Sequence, residues 1–172
     1  SIQFDDYTVT YKDNVTVRRK YPYYRFNLGV NSAGLPVKRV PASEMKMLLD
    51  EAGLTKTEAS VMGAVSPLEG GFDSVNTYDT GYVSAGMLQF ASLRDGAGSL
   101  GSVLLEVKNR DINGFDRDFR QLGIDVSDKG VLSAVNIYTA DEKQGHDANL
   151  QIIHDKRLVA VLQRAGLQRP FR

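Results

Sequence analysis

Two carboxylic acids in the middle of the chain are the first candidates for chemistry. Glu69 ends an apolar stretch with helical spacing, and Asp79, ten residues later, lies between Tyr78 and Thr80. The negative end of a helix dipole and apolar neighbours both disfavour a charged Glu69, so we expect a raised pKa there and an ionised Asp79. Such a pair suits glycoside hydrolysis, because one group protonates the leaving oxygen and the other activates water. Asp73 is a second candidate base or substrate contact.

Two predicted helices lead to Glu69. Pro41 suits a first helical turn, helical spacing continues to Ala52, and Gly53 is a natural C-terminal stop. The segment Thr55-Lys56-Thr57-Glu58 has the capping-box pattern, which predicts the start of a second helix. Because Pro67 disfavours a helical residue before it, we expect that helix to end near residues 65–68.

The rest of the chain predicts an α+β fold that is mainly helical. Residues 1–40 are rich in β-branched and aromatic residues, which indicates a β-rich N-terminal arm or linker before a domain at 41–172. Residues 69–82 indicate an irregular loop or a small hairpin. Helical spacing returns at four places further on: 84–92, 99–109, 115–122 and 147–165.

The segment around Glu69 resembles the lysozyme-like superfamily. Glu69-Gly70-Gly71 is followed by Ser84-Ala85-Gly86-Met87-Leu88-Gln89-Phe90, with twenty residues between Glu69 and Gln89. In lytic transglycosylases and goose-type lysozymes a Glu ends a buried helix, and a later Gly-apolar-apolar-Gln segment opens the next helix and lines the cleft. Residues 79–90 also look like bacterial chitosanases, which are inverting enzymes of the same superfamily. The resemblance implies a lysozyme-like helical core, with Glu69 as acid and Asp79 as base.

The same resemblance implies roles for further residues. Ser84 and Gln89 would bind the sugar or position water, and the rings of Tyr78, Tyr82 and Phe90 would face the C–H groups of a pyranose. Helical spacing favours a place in the hydrophobic core for Met87 and Leu88, and a core position is also the alternative for Phe90. The sequence departs from the lytic transglycosylase pattern at Gly70, where a Ser commonly follows the Glu. It also reads Gly-Met-Leu-Gln in place of Gly-Leu-Met-Gln, and its Glu-to-Asp spacing is shorter than in the chitosanases.

These observations predict a glycosidase that cleaves an aminosugar polymer, with bacterial peptidoglycan first and chitosan second. Two outcomes stay open: inverting hydrolysis with Asp79 as base, or lytic cleavage in which Glu69 acts first as acid and then as base. The alternatives are a chitosanase-type inverting hydrolase and a non-catalytic module that binds the cell wall. A wall substrate implies the periplasm, the extracellular space or delivery to the wall, and no cofactor or metal is implied.

Composition narrows the possible partners. Lys plus Arg and Asp plus Glu both number 21, a neutral balance that disfavours a dedicated nucleic-acid binder. The chain has no Cys, which excludes disulfides, thiolate metal sites and cysteine nucleophiles. No apolar run is long enough for a transmembrane helix. Residues 41–106 hold nine acidic and three basic residues, and this net charge of −6 disfavours phosphate-bearing ligands and suits neutral or cationic glycans.

Three other motifs lack the context that their chemistry requires. Asp79-Thr80-Gly81 spells the aspartic-protease signature, which needs an apolar strand before it and a second copy. The run from Gly96 to Gly101 matches G-x-G-x-x-G, but we expect a Gly-rich loop between helices, since no βαβ unit is evident. His146 and His154 lack zinc-ligand spacing, and we expect His146 to be exposed to solvent.

Overall fold

In a computed structural model, the protein is described over residues 2–4, 8–11, 20–22, 24–26, 29–32, 34, 39–53, 55–69, 71–77, 82–86 and 89–166. This part of the chain contains three antiparallel sheets and six α-helices. None of the described helices is long and apolar enough to cross a membrane.

Two sheets occupy the N-terminal half. Strands β1 (Ile2–Phe4), β2 (Thr8–Tyr11) and β3 (Lys20–Pro22) form a three-stranded meander. The second sheet has five strands in sequence order: β4 (Tyr24–Phe26), β5 (Gly29–Ser32), β6 (Val75–Asn76), β7 (Val83–Ala85) and β8 (Phe90–Ser92). Ser32 of β5 pairs with Val75 of β6, so strands from the first forty residues extend the sheet that follows Glu69.

Helices α1 (Ala42–Ala52) and α2 (Lys56–Glu69) lie between β5 and β6 and confirm the two helices predicted there. The predicted capping box is also confirmed. The backbone N–H of Thr55 donates to Oε2 of Glu58 at 2.8 Å, and the N–H of Glu58 donates to Oγ1 of Thr55 at 3.3 Å. The hydrogen bond from the Thr55 backbone lowers the pKa of Glu58. Helix α2 continues through Pro67 and ends at Glu69, slightly later than the predicted end.

The C-terminal half alternates helices with a third sheet. Helix α3 (Ser99–Arg110) confirms the prediction at 99–109, and α4 (Ile112–Asp118) and a short 3-10 helix (Arg120–Leu122) follow it. Strands β9 (Ile124–Val126), β10 (Leu132–Val135) and β11 (Glu142–Gln144) form an antiparallel sheet with β10 in the middle. The described part ends with α5 (Gly145–His154) and α6 (Lys156–Ala165).

One apolar core joins these elements. It is built from buried side chains of β7, α3, α4, β9, β10, α5 and α6, with fully buried Leu100, Leu104, Ile124, Leu132 and Ile152 among them. Strands β9 and β10 are buried along their whole length, although each contains a polar residue, Asp125 or Ser133, among its three or four residues. Such short runs carry no period that separates a strand from a helix.

The expected mainly helical, lysozyme-like core is wrong. The segment 84–92, predicted as a helix, is the β7–β8 hairpin, and Gly86 (φ 79°) and Gln89 (φ 51°) have left-handed backbone that a right-handed helix cannot contain. The sheet β9–β11 occupies a region for which helical spacing gave no prediction. The molecule is an α+β protein in which strands β7, β9 and β10 contribute to the core beside the helices.

Two further corrections concern connections. The helix predicted at 147–165 is two helices, because Asp155 has extended backbone and its side chain caps α6 by accepting from the N–H of Arg157 at 2.9 Å. The Gly-rich run connects β8 to α3 rather than two helices. Within it, Gly101 lies so close to the carbonyl oxygen of Gly130 that an added Cβ would be 1.9 Å from that atom.

Buried polar contacts join elements that are distant in sequence. The hydroxyl of Ser92 donates to Oδ1 of Asn149 at 2.8 Å, and the Asn149 amide donates to the carbonyl of Leu93 at 2.6 Å, which ties β8 to α5. Asp118 at the end of α4 forms an ion pair with Arg164 of α6 at 3.3 Å. Both side chains of this pair are about 5% exposed, so the pair is almost completely removed from water.

Candidate functional site

Glu69 lies at the carboxyl end of α2, one residue beyond the predicted end at residues 65–68, and a turn at residues 71–74 leads into β6. Gly71, Asp73 and Ser74 in this turn are buried, and the N–H of Ser74 donates to the carbonyl of Gly71 at 3.1 Å. The negative end of the α2 dipole therefore lies at Glu69, next to a compact turn.

A polar cluster ties this turn to the β7–β8 hairpin. The hydroxyl of Ser74 donates to the carbonyl of Gly86 at 2.9 Å, and the Gly86 N–H donates back to the carbonyl of Ser74 at 2.9 Å. The Gln89 side chain donates to Oγ of Ser74 at 3.0 Å and to the carbonyl of Gly86 at 2.9 Å. The structure thus brings Gln89 to the turn after Glu69, and its amide nitrogen holds the two segments together.

Left-handed backbone occurs just before this hairpin and within its turn. Tyr82 (φ 52°) precedes β7 and Gln89 (φ 51°) precedes β8, and neither is a glycine. An L residue in this region costs of order 1 kcal/mol, and such positions cluster at functional sites. Two residues that the sequence singled out therefore share a strained conformation.

His146 is a neighbour of the hairpin that sequence reasoning missed. Its ring meets the ring of Tyr82 edge-on, with centroids 5.7 Å apart and planes at 83°. The Nδ1 atom is buried without a hydrogen-bond partner among the described residues. The prediction that His146 is exposed to solvent is therefore wrong, since the side chain is only partly accessible. No local signal marks His146, because the contact joins α5 to Tyr82, more than sixty residues earlier in the sequence.

The other candidates occupy different environments. Asp73 is 1% exposed, and its Oδ1 lies only 2.5 Å from where a Cβ on Gly34 would stand, so backbone packs directly on this carboxyl. Ser84 is half-buried in β7, opposite Ala91 of β8. Phe90 packs against the main core from β8.

Asp79 and Tyr78, predicted as base and sugar platform, lie outside the described residues, as do Met87 and Leu88. Among the residues that the structure describes, no group of three or more His, Asp or Glu side chains is placed to hold a metal ion.

Comparisons of the chain with protein-family models, with curated proteins and with solved structures found no match. The resemblance to lysozyme-like enzymes therefore remains a likeness of residues 69–90 in sequence.

Proposed function

We propose that this protein cleaves glycosidic bonds in an aminosugar polymer, with Glu69 as the proton donor. The observation that carries the proposal is the position of Glu69 as the last residue of α2. The partial negative charge at a helix C-terminus favours a protonated carboxyl, the form that a general acid needs. The sequence likeness of residues 69–90 to glycan-cleaving enzymes supports the same assignment.

The β7–β8 hairpin is a second structural feature that supports Glu69 as the proton donor. The Ser74–Gly86–Gln89 cluster fixes the β7–β8 turn against the turn that follows Glu69. Rigid placement of the groups around a catalytic carboxyl lowers the entropy that a reaction must lose. In this proposal Gln89 is a positioning residue that holds the frame of the site.

The proposed reaction has Glu69 as its acid, and it has two versions that differ in what bonds to the anomeric carbon. Glu69 gives its proton to the glycosidic oxygen as the bond from that oxygen to the anomeric carbon breaks, through an oxocarbenium-like transition state. In the hydrolytic version, Asp79 takes a proton from a water molecule, which then bonds to the anomeric carbon from the opposite face. In the lytic version, the Glu69 carboxylate takes a proton from a hydroxyl of the same sugar, which closes an anhydro ring and needs no water.

The test compares Glu69→Gln with Glu106→Gln on purified peptidoglycan and on chitosan. Glu106 is an exposed residue of α3 whose partner is Arg110, so its loss removes only a surface ion pair. We expect Glu69→Gln to slow the release of sugar by about 10²–10⁴-fold or more, because general acid catalysis contributes that much. The Glu106→Gln control should keep the wild-type rate. A Glu69→Gln protein that clears cell walls at the wild-type rate contradicts the proposal.

Product analysis separates the chemical versions. Mass spectrometry of muramic acid ends distinguishes hydrolysis from lytic cleavage, because the anhydro product is lighter by one water. Asp79→Asn should abolish hydrolysis and spare lytic cleavage. A wild-type protein that releases no sugar, yet is retained on purified walls to the same extent as Glu69→Gln, would instead be a non-catalytic wall-binding module.

A further inference from the structure

A second candidate site lies away from Glu69, where the β10–β11 loop meets the junction of α5 and α6. Two adjoining clefts of about 420 Å³ and 640 Å³ share Asn136, Gln151 and Asp155 in their walls. We call the combined feature the α5–α6 groove. Clefts of this size accommodate ligands of a few rings. None of the residues predicted from sequence to contact substrate lines it.

One half of the α5–α6 groove is apolar. Buried or half-buried aliphatic side chains line it: Leu122, Val135, Leu158 and Val161. Beside them, Ile137 is 48% exposed and Tyr138 is 83% exposed at the tip of the β10–β11 loop. A single exposed apolar residue is ordinary, but two next to an open apolar cleft indicate a surface that binds something.

The shared wall of the groove presents unused hydrogen-bonding groups. Oδ1 of Asn136 accepts from the N–H groups of Tyr138 and Thr139 at 2.9 and 3.2 Å, so its amide NH₂ remains as a donor. Among the described residues, neither that NH₂ nor the half-buried amide of Gln151 has a hydrogen-bond partner. Asp155 accepts from Arg157 at 2.7 Å and keeps that guanidinium beside the apolar half.

The charges of the groove argue for a ligand without phosphate. Three carboxylates and two permanent cations line it, and these are Asp141, Asp147, Asp155, Lys143 and Arg157. Arg157 is already paired with Asp155, and the three carboxylates outnumber the two cations, so the net negative charge of the lining disfavours a phosphate-bearing ligand. A neutral ligand rich in hydroxyl and amide groups fits this balance.

We propose that the α5–α6 groove binds an N-acetylated aminosugar oligomer. The exposed ring of Tyr138 offers a flat face for the C–H side of a pyranose. The amides of Asn136 and Gln151 match hydroxyl and acetamido oxygens, and the aliphatic lining takes the acetyl methyl group. The proposal goes beyond the cleavage at Glu69, since the groove can hold a glycan whether or not Glu69 cleaves one.

The experiment measures binding of the tetramer of N-acetylglucosamine by titration calorimetry, in a Glu69→Gln background that prevents cleavage. We expect Tyr138→Ala to weaken binding about 3- to 10-fold, the usual value of one aromatic contact, and Gln151→Ala to weaken it similarly. The controls are Ile112→Ala, exposed on α4, and Gln121→Ala, whose amide donates to Asp116 at 2.7 Å away from the groove, and both should bind like the parent. Thermal unfolding of each variant verifies that it is folded.

Other outcomes overturn the proposal. It fails if the parent binds no tetramer, or if Tyr138→Ala and Gln151→Ala bind as the parent does. Equal binding of the deacetylated tetramer contradicts the acetyl pocket. If Tyr138→Ala instead dissolves a dimer seen by analytical ultracentrifugation, the groove is a self-association surface. Because cleavage assays are not used, failure here leaves the assignment of Glu69 unaffected.

Discussion

Replacing Asp118 by Asn tests how much the buried ion pair between α4 and α6 stabilises the fold. Asp118 closes α4 and contacts Arg164 of α6 at 3.3 Å, with both side chains almost fully buried. The exposed Arg117 also donates to Asp118, at 2.7 and 3.0 Å. The substitution keeps the size of the side chain and removes its charge, so the buried guanidinium of Arg164 loses the negative charge of Asp118.

The expected loss follows from that burial. Removing one partner of a buried ion pair costs about 3–5 kcal/mol. Asn still accepts a hydrogen bond, so we expect the low end, about 3 kcal/mol of unfolding free energy. For a chain of this size that lowers Tm by about 6–12 °C. The matched control is Arg117→Ala, which removes the exposed partner (58% accessible) and should cost at most about 1 kcal/mol.

The pH dependence gives a second, independent readout. Burial by itself raises the pKa of Asp118, but the hydrogen bond from Arg117 and the charges of Arg164 and Arg117 outweigh it, so the pKa is lowered. A lowered pKa stabilises the fold fully above the unfolded value, about 3.9, and the contribution is lost as the pH falls through the folded value. The difference between wild type and Asp118→Asn should therefore be constant near neutrality and shrink in acid.

Urea unfolding of the three proteins between pH 2 and pH 7 is the assay. The reasoning is refuted if Asp118→Asn costs no more than Arg117→Ala at pH 7. It is also refuted if the difference between wild type and Asp118→Asn does not change in acid.

Two further predictions concern packing and buried hydrogen bonds. Gly101→Ala should lower the free energy of unfolding by more than about 3 kcal/mol, because the added Cβ would lie 1.9 Å from the carbonyl oxygen of Gly130. The control Gly63→Ala, where nothing lies within 4 Å in the middle of α2, should stabilise by about 0.5–1 kcal/mol, and equal effects of the two on urea unfolding would contradict this close contact. Asn149→Ala should lower the free energy of unfolding by about 1–3 kcal/mol in the same assay, since it removes both the acceptor of the buried Ser92 hydroxyl at 2.8 Å and the donor to the Leu93 carbonyl at 2.6 Å, and an unchanged midpoint would contradict this.

Local sequence predicted the elements whose signals act over one helical turn. The capping box at Thr55 and Glu58 forms as expected because both partners lie within the same turn. Helix α3 follows its spacing, and Glu69 falls at the end of α2 as the apolar stretch before it indicated. That is the part of the candidate site that sequence alone predicted.

Tertiary contacts decided the elements where two local conformations compete. Residues 84–92 have helical spacing, yet Ser74, ten or more residues earlier, donates to the Gly86 carbonyl and accepts from the Gln89 amide, and these bonds hold a hairpin with left-handed backbone. The single long helix predicted at 147–165 is broken because the side chain of Asp155 caps α6. In both places a polar side chain stabilises a conformation that the spacing of apolar residues does not predict.

The surroundings of Glu69 and of the α5–α6 groove were also decided by tertiary contacts and not by local sequence. His146 reaches Tyr82 only because α5 packs beside β7 of the second sheet. The α5–α6 groove combines a loop between strands with the junction of two helices, so no segment of its sequence has the pattern of a binding motif. The sequence by itself determined the helix that ends at Glu69, because that helix depends on neighbours three and four residues apart. Only the tertiary structure determined what surrounds Glu69 and where the groove opens, because those contacts join residues that the chain brings together from far apart.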